Sequence, residues 1–260
     1  MDPELACIDG QLVPLAQATI SVTDHGLVRG DGVFEAFRLY GGRPYALDAH
    51  LARLERSAAG LRLPLDIAAV RADIEALLAA REAGDGIVRV MLTRGGRRIT
   101  LVEKMPAVPA TVALAPVTYA PSRLLDGVKS LSYAANMLAS RIARDDGADD
   151  ALLVTPHGRV LECPTASFFI VVGAEVCTAP LSEHILDSIT RRAVLAAAAV
   201  TEAPIAIDAL AGADEAFVAS TGYEVAGVHR VGDVRYDAPG PRTSEIAALV
   251  RERIRSELER

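Results

Sequence analysis

The chain contains only two lysines, and they are its only candidates for chemistry that needs a primary side-chain amine. All the other members of its 27 basic residues are arginine. Lys104 follows Glu103 shortly before a proline, which is typical of a surface position. Lys129 lies in the apolar context 127–131, GVKSL, where desolvation would favour the neutral, nucleophilic form of the amine. The alternative for Lys129 is an edge-strand lysine that points to solvent.

The elements that must position this amine alternate between strands and helices. Period-two alternation predicts the strands, and apolar residues at helical spacing predict the helices. The first part of the chain has a hairpin at 5–13 turning at Asp9-Gly10, strands at 33–40, 86–93, 99–103 and 110–116, and helices at 47–60, capped by Asp48, and 67–82. The second part has a strand at 127–131, a hairpin of 151–155 with 159–163, strands at 167–172, 175–178, 215–219 and 223–229, and helices at 133–145, 186–200, 207–212 and 243–258.

The length of 260 residues favours two domains. The proline-bearing segment 117–122 lacks periodicity and is predicted to be an interdomain linker. It separates a small N-terminal α/β domain at 1–116 from a larger C-terminal mixed α/β domain at 123–260. The expected fold class is therefore α/β (α+β).

Composition excludes several classes of function. The net charge of −7, without a lysine or arginine run, argues against a nucleic-acid partner. The 3 cysteines lack C-x-x-C spacing and the histidines are scattered, so no disulfide framework or metal site is expected. Four prolines in the uncharged stretch 105–122 argue against a membrane span. Since no signal peptide is visible, a cytoplasmic location is expected.

Five segments, in a fixed order, cover nearly the whole chain with a recognisable pattern. They are DHGLVRGDGVFEAFRLYGGRPYALDAHLARLERSAAGL from position 24, GVKSLSYAANMLASRIARDDGADDALLV from 127, GRVLECPTASFFIV from 158, ILDSITRR from 185 and DEAFVASTGYEV from 214. Together they resemble the fold-type IV pyridoxal phosphate family. That family includes branched-chain aminotransferases, D-amino acid aminotransferases, R-selective amine transaminases and 4-amino-4-deoxychorismate lyases, which share a cofactor site and differ in their pocket walls.

The resemblance implies that pyridoxal 5'-phosphate is held as a Schiff base on Lys129, because the lysine of the family precedes a segment like SLSYAAN. It places Glu162 against the pyridine nitrogen, where a carboxylate keeps that nitrogen protonated. Read alone, Glu162 is an exposed strand-end residue. Tyr133 follows Lys129 by four positions, whereas branched-chain relatives usually have five. Two roles are therefore open for Tyr133: contact with the phenolic oxygen of the cofactor, or a position in the first turn of a helix with no part in the site.

The cofactor phosphate needs positive charge and N–H donors. The resemblance assigns these roles to one helix arginine and to residues at a helix start and a turn, namely Arg53, Ile189, Thr190, Ser220 and Thr221. Read alone, Arg53 is a solvated helix residue, and Ser220 and Thr221 are turn residues.

Substrate recognition is expected in the N-terminal domain. Phe34, Arg38 and Arg89 match family positions that face the pocket, and Arg97-Arg98 is a candidate carboxylate trap on a loop. Arg89 alternates with valines in its strand, so a structural salt bridge is the other interpretation of that residue.

The resemblance favours an aminotransferase that moves an amino group between an amino acid or amine and a 2-keto acid. The alternative is an aminodeoxychorismate lyase, which would use the same lysine to release pyruvate and form 4-aminobenzoate. A third hypothesis is a non-catalytic cofactor carrier. Because active sites of the family lie between domains and receive a loop from a neighbouring subunit, a homodimer is also implied.

Overall fold

The computed structural model describes residues 4–259 and separates into two compact units. The first consists of the described part of Met1–Pro106 together with Gly127–Tyr133, and the second of Ala107–Asp126 together with the described part of Ala134–Arg260. The segment 117–122, predicted as a linker, falls within the second unit, whereas Lys129 belongs to the first. No helix in the described range is long and apolar enough to cross a membrane.

The first unit is built on a six-stranded antiparallel sheet in the order β2-β1-β6-β5-β3-β4. Its elements in chain order are β1 (Leu5–Ile8), β2 (Gln11–Pro14), α1 (His25–Arg29), β3 (Gly32–Tyr40), β4 (Arg43–Pro44), α2 (Leu47–Gly60), α3 (Ile67–Ala79), β5 (Gly86–Thr93) and β6 (Arg98–Glu103). The predicted hairpin at 5–13 is confirmed, since β1 and β2 pair across Asp9-Gly10.

One face of this sheet lies against α2 and α3. Alternation along β3 puts Val33 and Phe37 on that face, where they cluster with Leu54 of α2 and Ile74 of α3. Each of these four side chains is fully buried. Burying a side chain of this size stabilises the fold by about 1.5–3 kcal/mol, so this cluster holds the helices to the sheet.

The opposite face carries residues predicted to line the substrate pocket. The register of β3 with β5 pairs Phe34 with Met91 and Ala36 with Arg89. Since directly paired residues share a face, Phe34, Arg38 and Arg89 project from the side away from the helices.

The helix predicted at 47–60 is confirmed, but its predicted cap is wrong. Ala46 is the N-cap, in a left-handed conformation, and no side chain accepts a hydrogen bond there. Asp48 lies one residue into the helix and pairs with Arg71 instead. The helix is stabilised by its buried face rather than by a cap.

The strand predicted at 127–131 is also wrong. Only Ser130 forms a β-bridge, with Val33, because Gly127 has a φ of 70° and the chain runs beside β3 for a few residues only. The N–H of Leu131 donates to the carbonyl of Gly32 at 2.8 Å. A side chain at Gly32 would collide with the carbonyl of Leu92 and with Leu131, so only glycine admits this close approach.

The second unit contains a ten-stranded mixed sheet in the order β12-β11-β10-β14-β15-β7-β8-β9-β13, with β16 paired to β15. Its elements are β7 (Thr111–Thr118), α4 (Ala134–Asp145), β8 (Asp150–Val154), β9 (Arg159–Val160), β10 (Ser167–Val172), β11 (Glu175–Thr178), α5 (Ile189–Ala197), β12 (Val200–Glu202), β13 (Ile205–Ala206), β14 (Glu215–Ser220), β15 (Glu224–Val231), β16 (Val234–Arg235) and α6 (Pro241–Leu258). β7 lies parallel to β8 and β15. Two sheets with packed helices confirm the predicted mixed α/β class.

The core of the second unit is made by inward-facing side chains of its sheet. Leu152, Phe168 and Val218 are among its fully buried members. On the other side of the sheet Phe169 stacks on Phe217, with ring centroids 4.7 Å apart. This packing fixes the strand ends from which the predicted cofactor residues emerge.

Candidate active site

The backbone of Lys129 is held by a strand and a helix of the first unit. Its carbonyl accepts a hydrogen bond from the N–H of Phe34 at 3.0 Å. Its own N–H donates to Oγ of Ser57, a fully buried residue of α2, at 3.1 Å. The pairing beside β3 sets Lys129 opposite Phe34, so the two side chains project from the same face.

The Lys129 amine lies against aromatic rings. Nζ is 4.3 Å from the centroid of the Phe34 ring and 5.8 Å from that of Tyr133. The two rings meet edge to face with centroids 5.3 Å apart. Phe34 is buried, and Lys129 is half-buried. Contact with the rings removes water from one side of the amine, which favours its neutral, nucleophilic form, while the attraction of ring faces for a cation opposes this effect. The structure thus brings Lys129, Phe34 and Tyr133 together.

A buried charged network lies on the helix side of β3. Both oxygens of Glu35 accept from Arg53, at 2.7 Å from Nε and 2.8 Å from Nη2. Nδ1 of His50 lies 2.8 Å from Glu35 Oε2. Glu35, His50 and Arg53 are 1%, 2% and 4% exposed, so Arg53 is not the solvated helix arginine of the alternative interpretation. The network ties α2 to the strand that carries Phe34.

The network also fixes the charge of its members. Burial alone would raise the pKa of Glu35, but the hydrogen bonds and charge of Arg53 prevail and lower that pKa from 4.5 to about 2. Burial lowers the pKa of His50, and the carboxylate of Glu35 only partly opposes this effect. His50 is therefore neutral near pH 7 and donates from Nδ1 to the ionised Glu35. The Arg53 charge is balanced within the protein.

Arg89 lies on the face of the sheet opposite the helices and has a carboxylate partner. Its Nε and Nη2 donate to the two oxygens of Glu103 at 2.7 and 2.8 Å. The guanidinium carbon is also 5.6 Å from the centroid of the Phe34 ring. The salt bridge that the sequence offered as the other interpretation of Arg89 is present, and its contact with substrate stays a prediction.

The other predicted substrate arginines are occupied by partners in the first unit. Arg38 stacks 4.4 Å over the ring of Tyr40 and lies 3.8 Å from Asp85. Arg97 forms an ion pair with Asp9 in the β1–β2 turn. Arg98 donates to Asp73 of α3 at 2.8 Å, on the helix side of the sheet. The structure therefore does not group Arg97 and Arg98 as one anion trap.

Glu162 lies two residues beyond β9 in the second unit. Its Oε1 accepts from the N–H of Leu186 at 2.9 Å, and its carbonyl accepts from the N–H of Leu153 at 2.9 Å. The side chain is half-buried rather than exposed. Burial, and then the negative charge of Glu162, raise the pKa of Tyr119. These contacts orient a carboxylate just past a strand end.

The predicted phosphate residues of the second unit lie at a helix start and at a strand end. Ile189 and Thr190 are the first two residues of α5, whose N-cap Ser188 accepts from Arg191. N–H groups at these positions have no acceptor within their own helix and favour an anion. Ser220 ends β14, and its Oγ accepts from the N–H of Tyr223 at 3.1 Å. Thr221 follows directly.

Comparison with known proteins assigns the family. The model of the family described as "Amino-transferase class IV" matches residues 32–231. A D-alanine aminotransferase of Listeria monocytogenes is 30% identical over 93% of this chain and 92% of its own. An aminodeoxychorismate lyase of Bacillus subtilis is 27% identical over 96% of this chain and 94% of its own.

The chain belongs to the class IV aminotransferase family. A solved structure agrees with this assignment: a "hypothetical aminotransferase" of Mycobacterium tuberculosis in its PLP-bound form, 26% identical, covers 97% of this chain and 99% of its own with a TM-score of 0.89. The predicted family and fold type are thereby confirmed, and the cofactor of this enzyme is pyridoxal 5'-phosphate (PLP).

The residues of this class IV protein fit that cofactor. PLP requires an amine for its aldehyde, an anion for its ring nitrogen and N–H donors for its phosphate. Lys129 supplies a partly desolvated amine, and Glu162 supplies a half-buried carboxylate that is already oriented by a backbone N–H. The start of α5 supplies amide donors. Each requirement is met by a described residue.

Glu35, His50 and Glu103 contact candidate site residues or one another, and the sequence analysis did not single them out. Glu35 occupies an apolar-face position in the run Val33 to Phe37, and this break in the alternation was the available signal. For His50 the sequence offered no signal beyond its helical spacing from Arg53. Glu103 pairs with a residue fourteen positions away, a contact that only the register of β5 with β6 creates.

Proposed function

We propose that this protein is a PLP-dependent aminotransferase that transfers an amino group from an amino acid or amine to a 2-keto acid. The observation that carries the proposal is the amine of Lys129, held 4.3 Å from the Phe34 ring on the face of the sheet that also bears Arg89. Family membership and the PLP-bound relative support it.

In this proposal each residue has one task. When bound, PLP supplies a protonated ring that accepts electrons from the substrate carbon. Lys129 anchors the cofactor, and its Nζ then removes the proton from the substrate α-carbon as a general base. Glu162 keeps the ring nitrogen protonated. The phosphate is bound by Arg53 and by the backbone and hydroxyl groups at positions 189, 190, 220 and 221.

The pocket side of the first unit recognises the substrate. Phe34 packs against the reacting carbon region, while Arg89 binds the substrate carboxylate. Tyr133, whose ring meets that of Phe34, contacts the phenolic oxygen of the cofactor. Arg38 and Arg97 are assigned to the pocket rim.

We also propose that the enzyme is a homodimer in the cytoplasm. The spacing of the three cysteines does not suggest a disulfide framework, which fits a reducing compartment. Light scattering coupled to size exclusion tests the assembly, and a fully active monomer would contradict the proposal.

Lys129→Ala tests the proposed function. Removing the amine should abolish the visible absorbance of protein-bound cofactor and reduce kcat by at least about a thousandfold, because anchor and base are lost together. Lys104→Ala is the matched control, since this exposed amine pairs only loosely with Glu4 at 3.9 Å. Circular dichroism checks that both variants fold. Retained turnover in Lys129→Ala would contradict the assignment.

A lyase is the second candidate, favoured by the identity of 27% to the Bacillus subtilis aminodeoxychorismate lyase over 96% of the chain. Lys129 would again remove the α-proton, but pyruvate would leave. Two assays separate the candidates: keto-acid-dependent amine transfer, and pyruvate release from aminodeoxychorismate without any keto acid. A non-catalytic carrier would bind the cofactor and give neither product.

A further inference from the structure

Glu103, Arg89, Phe34 and Lys129 form a continuous row across the pocket side of the first unit. Glu103 belongs to β6, Arg89 to β5 and Phe34 to β3, and Lys129 lies beside β3. In this row Glu103 holds Arg89 by two hydrogen bonds, while the Phe34 ring contacts both the Arg89 guanidinium and the Lys129 amine. A negative charge therefore stands at the end of the row farthest from the lysine.

The hydrogen-bond geometry of Arg89 leaves one edge for a ligand. A guanidinium has five N–H donors, and Glu103 takes one on Nε and one on Nη2. Among the described residues, Nη1 donates to no protein acceptor. Arg89 and Glu103 have side chains 31% and 38% exposed, so a substrate carboxylate can approach this edge. It approaches a pair whose net charge is zero.

We infer that Glu103 is a specificity-determining residue that selects against substrates with a second carboxylate. The inference rests on the proposed function, because it assumes that substrate binds over the row. One carboxylate is accepted by the Nη1 edge of Arg89. A second carboxylate near the same guanidinium meets the Glu103 oxygens, and this like-charge contact is unfavourable. Monocarboxylic keto acids, and amines without a carboxylate, escape that repulsion.

Glu103→Gln tests the inference. The amide keeps the size of the side chain and removes its charge. The ratio of kcat/KM for 2-oxoglutarate to kcat/KM for pyruvate should rise about threefold to fivefold in the variant, an effect of the size expected for one half-exposed charge. The change should lie mainly in KM for the dicarboxylate, whereas a merely structural role would alter both keto acids alike.

A binding measurement separates this inference from the proposed function. Titration calorimetry on the holoenzyme gives dissociation constants for glutarate and butyrate, which need no turnover. Glu103→Gln should tighten glutarate binding about threefold to fivefold relative to butyrate. If the wild type transfers no amino group but this ratio still shifts, the proposed function fails and the selectivity of the row stands.

Asp48→Asn is the matched control, because it removes one carboxylate from an exposed arginine pair on the helix side of the same unit. It should leave both ratios unchanged. A Glu103→Gln enzyme with wild-type ratios, or an equal shift in Asp48→Asn, would overturn the inference. Glu103→Ala should reproduce the rise, and its failure to do so would also count against it.

Discussion

Two arginine–carboxylate pairs lie on opposite faces of one sheet and differ in exposure. Glu35 of β3 and Arg53 of α2 meet between the sheet and the helices, and their side chains are 1% and 5% exposed. Arg89 and Glu103 lie on the opposite face of the sheet, and their side chains are 31% and 38% exposed. Both pairs are bidentate, so hydrogen-bond geometry does not distinguish them. Exposure does: the first pair is a fixed part of the fold, whereas the second leaves the Nη1 edge of its arginine open to the carboxylate of a ligand.

The largest expected difference between the pairs is in stability. Glu35→Gln leaves the Arg53 charge buried without its counter-ion, and should lower the free energy of unfolding by about 3–5 kcal/mol. Urea denaturation measures this value. Glu55→Gln, at an exposed position of the same helix, is the control and should change stability by less than about 0.5 kcal/mol. Equal effects of the two substitutions would erase the distinction between the pairs.

Acid should weaken the buried pair next. Because the pKa of Glu35 is about 2 in the folded protein against an ordinary 4.5, its stabilisation is complete above pH 4.5 and is lost as pH falls towards 2. The loss amounts to about 3 kcal/mol. Burial lowers the pKa of His50 from its ordinary value of 6.5. Protonation of His50 therefore adds a loss of stability that begins as pH falls below 6.5. The urea midpoints of the wild type and Glu35→Gln should converge as pH falls below 4.5. A difference between the midpoints that stays constant with pH would contradict the ionised Glu35 as the source of this stability.

The smallest expected effect is on the stability of the exposed pair. Glu103→Gln removes a half-exposed ion pair that solvent screens, and should cost less than about 1 kcal/mol in the free energy of unfolding. Thermal melts of the apoenzyme provide the measurement. A loss as large as that of Glu35→Gln would mean that this pair also belongs to the fixed framework.

Local pattern was sufficient to predict most elements. The run from Val33 to Tyr40 and the helix at 47–60 were recovered because each shows one strong period. The segment around Lys129 was misread as a strand, since its apolar neighbours satisfy the pattern while Gly127 limits it to a single bridge. The local sequence does not show how many residues of the edge of β3 are free to pair with this segment.

The cofactor residues could be proposed from motifs, but their partners could not. Arg53 was proposed as a phosphate residue through its motif, whereas its burial depends on Glu35, which a different element brings within 2.7 Å. Arg97 was expected to bind substrate, yet the β1–β2 turn supplies Asp9 as its partner. Charge pairing across strands depends on strand register and on burial, and neither can be predicted from a short stretch of sequence.

Phe34 links two tasks that are usually treated as separate. One ring contacts the Lys129 amine and the Arg89 guanidinium, so a change of residue at position 34 should shift the proposed cofactor anchor and the proposed carboxylate site together. Substitutions at positions 34 and 89 should therefore combine non-additively. Laboratory evolution of this enzyme towards new substrates would then be strongly epistatic at this ring, and libraries should vary the two positions jointly rather than one after the other.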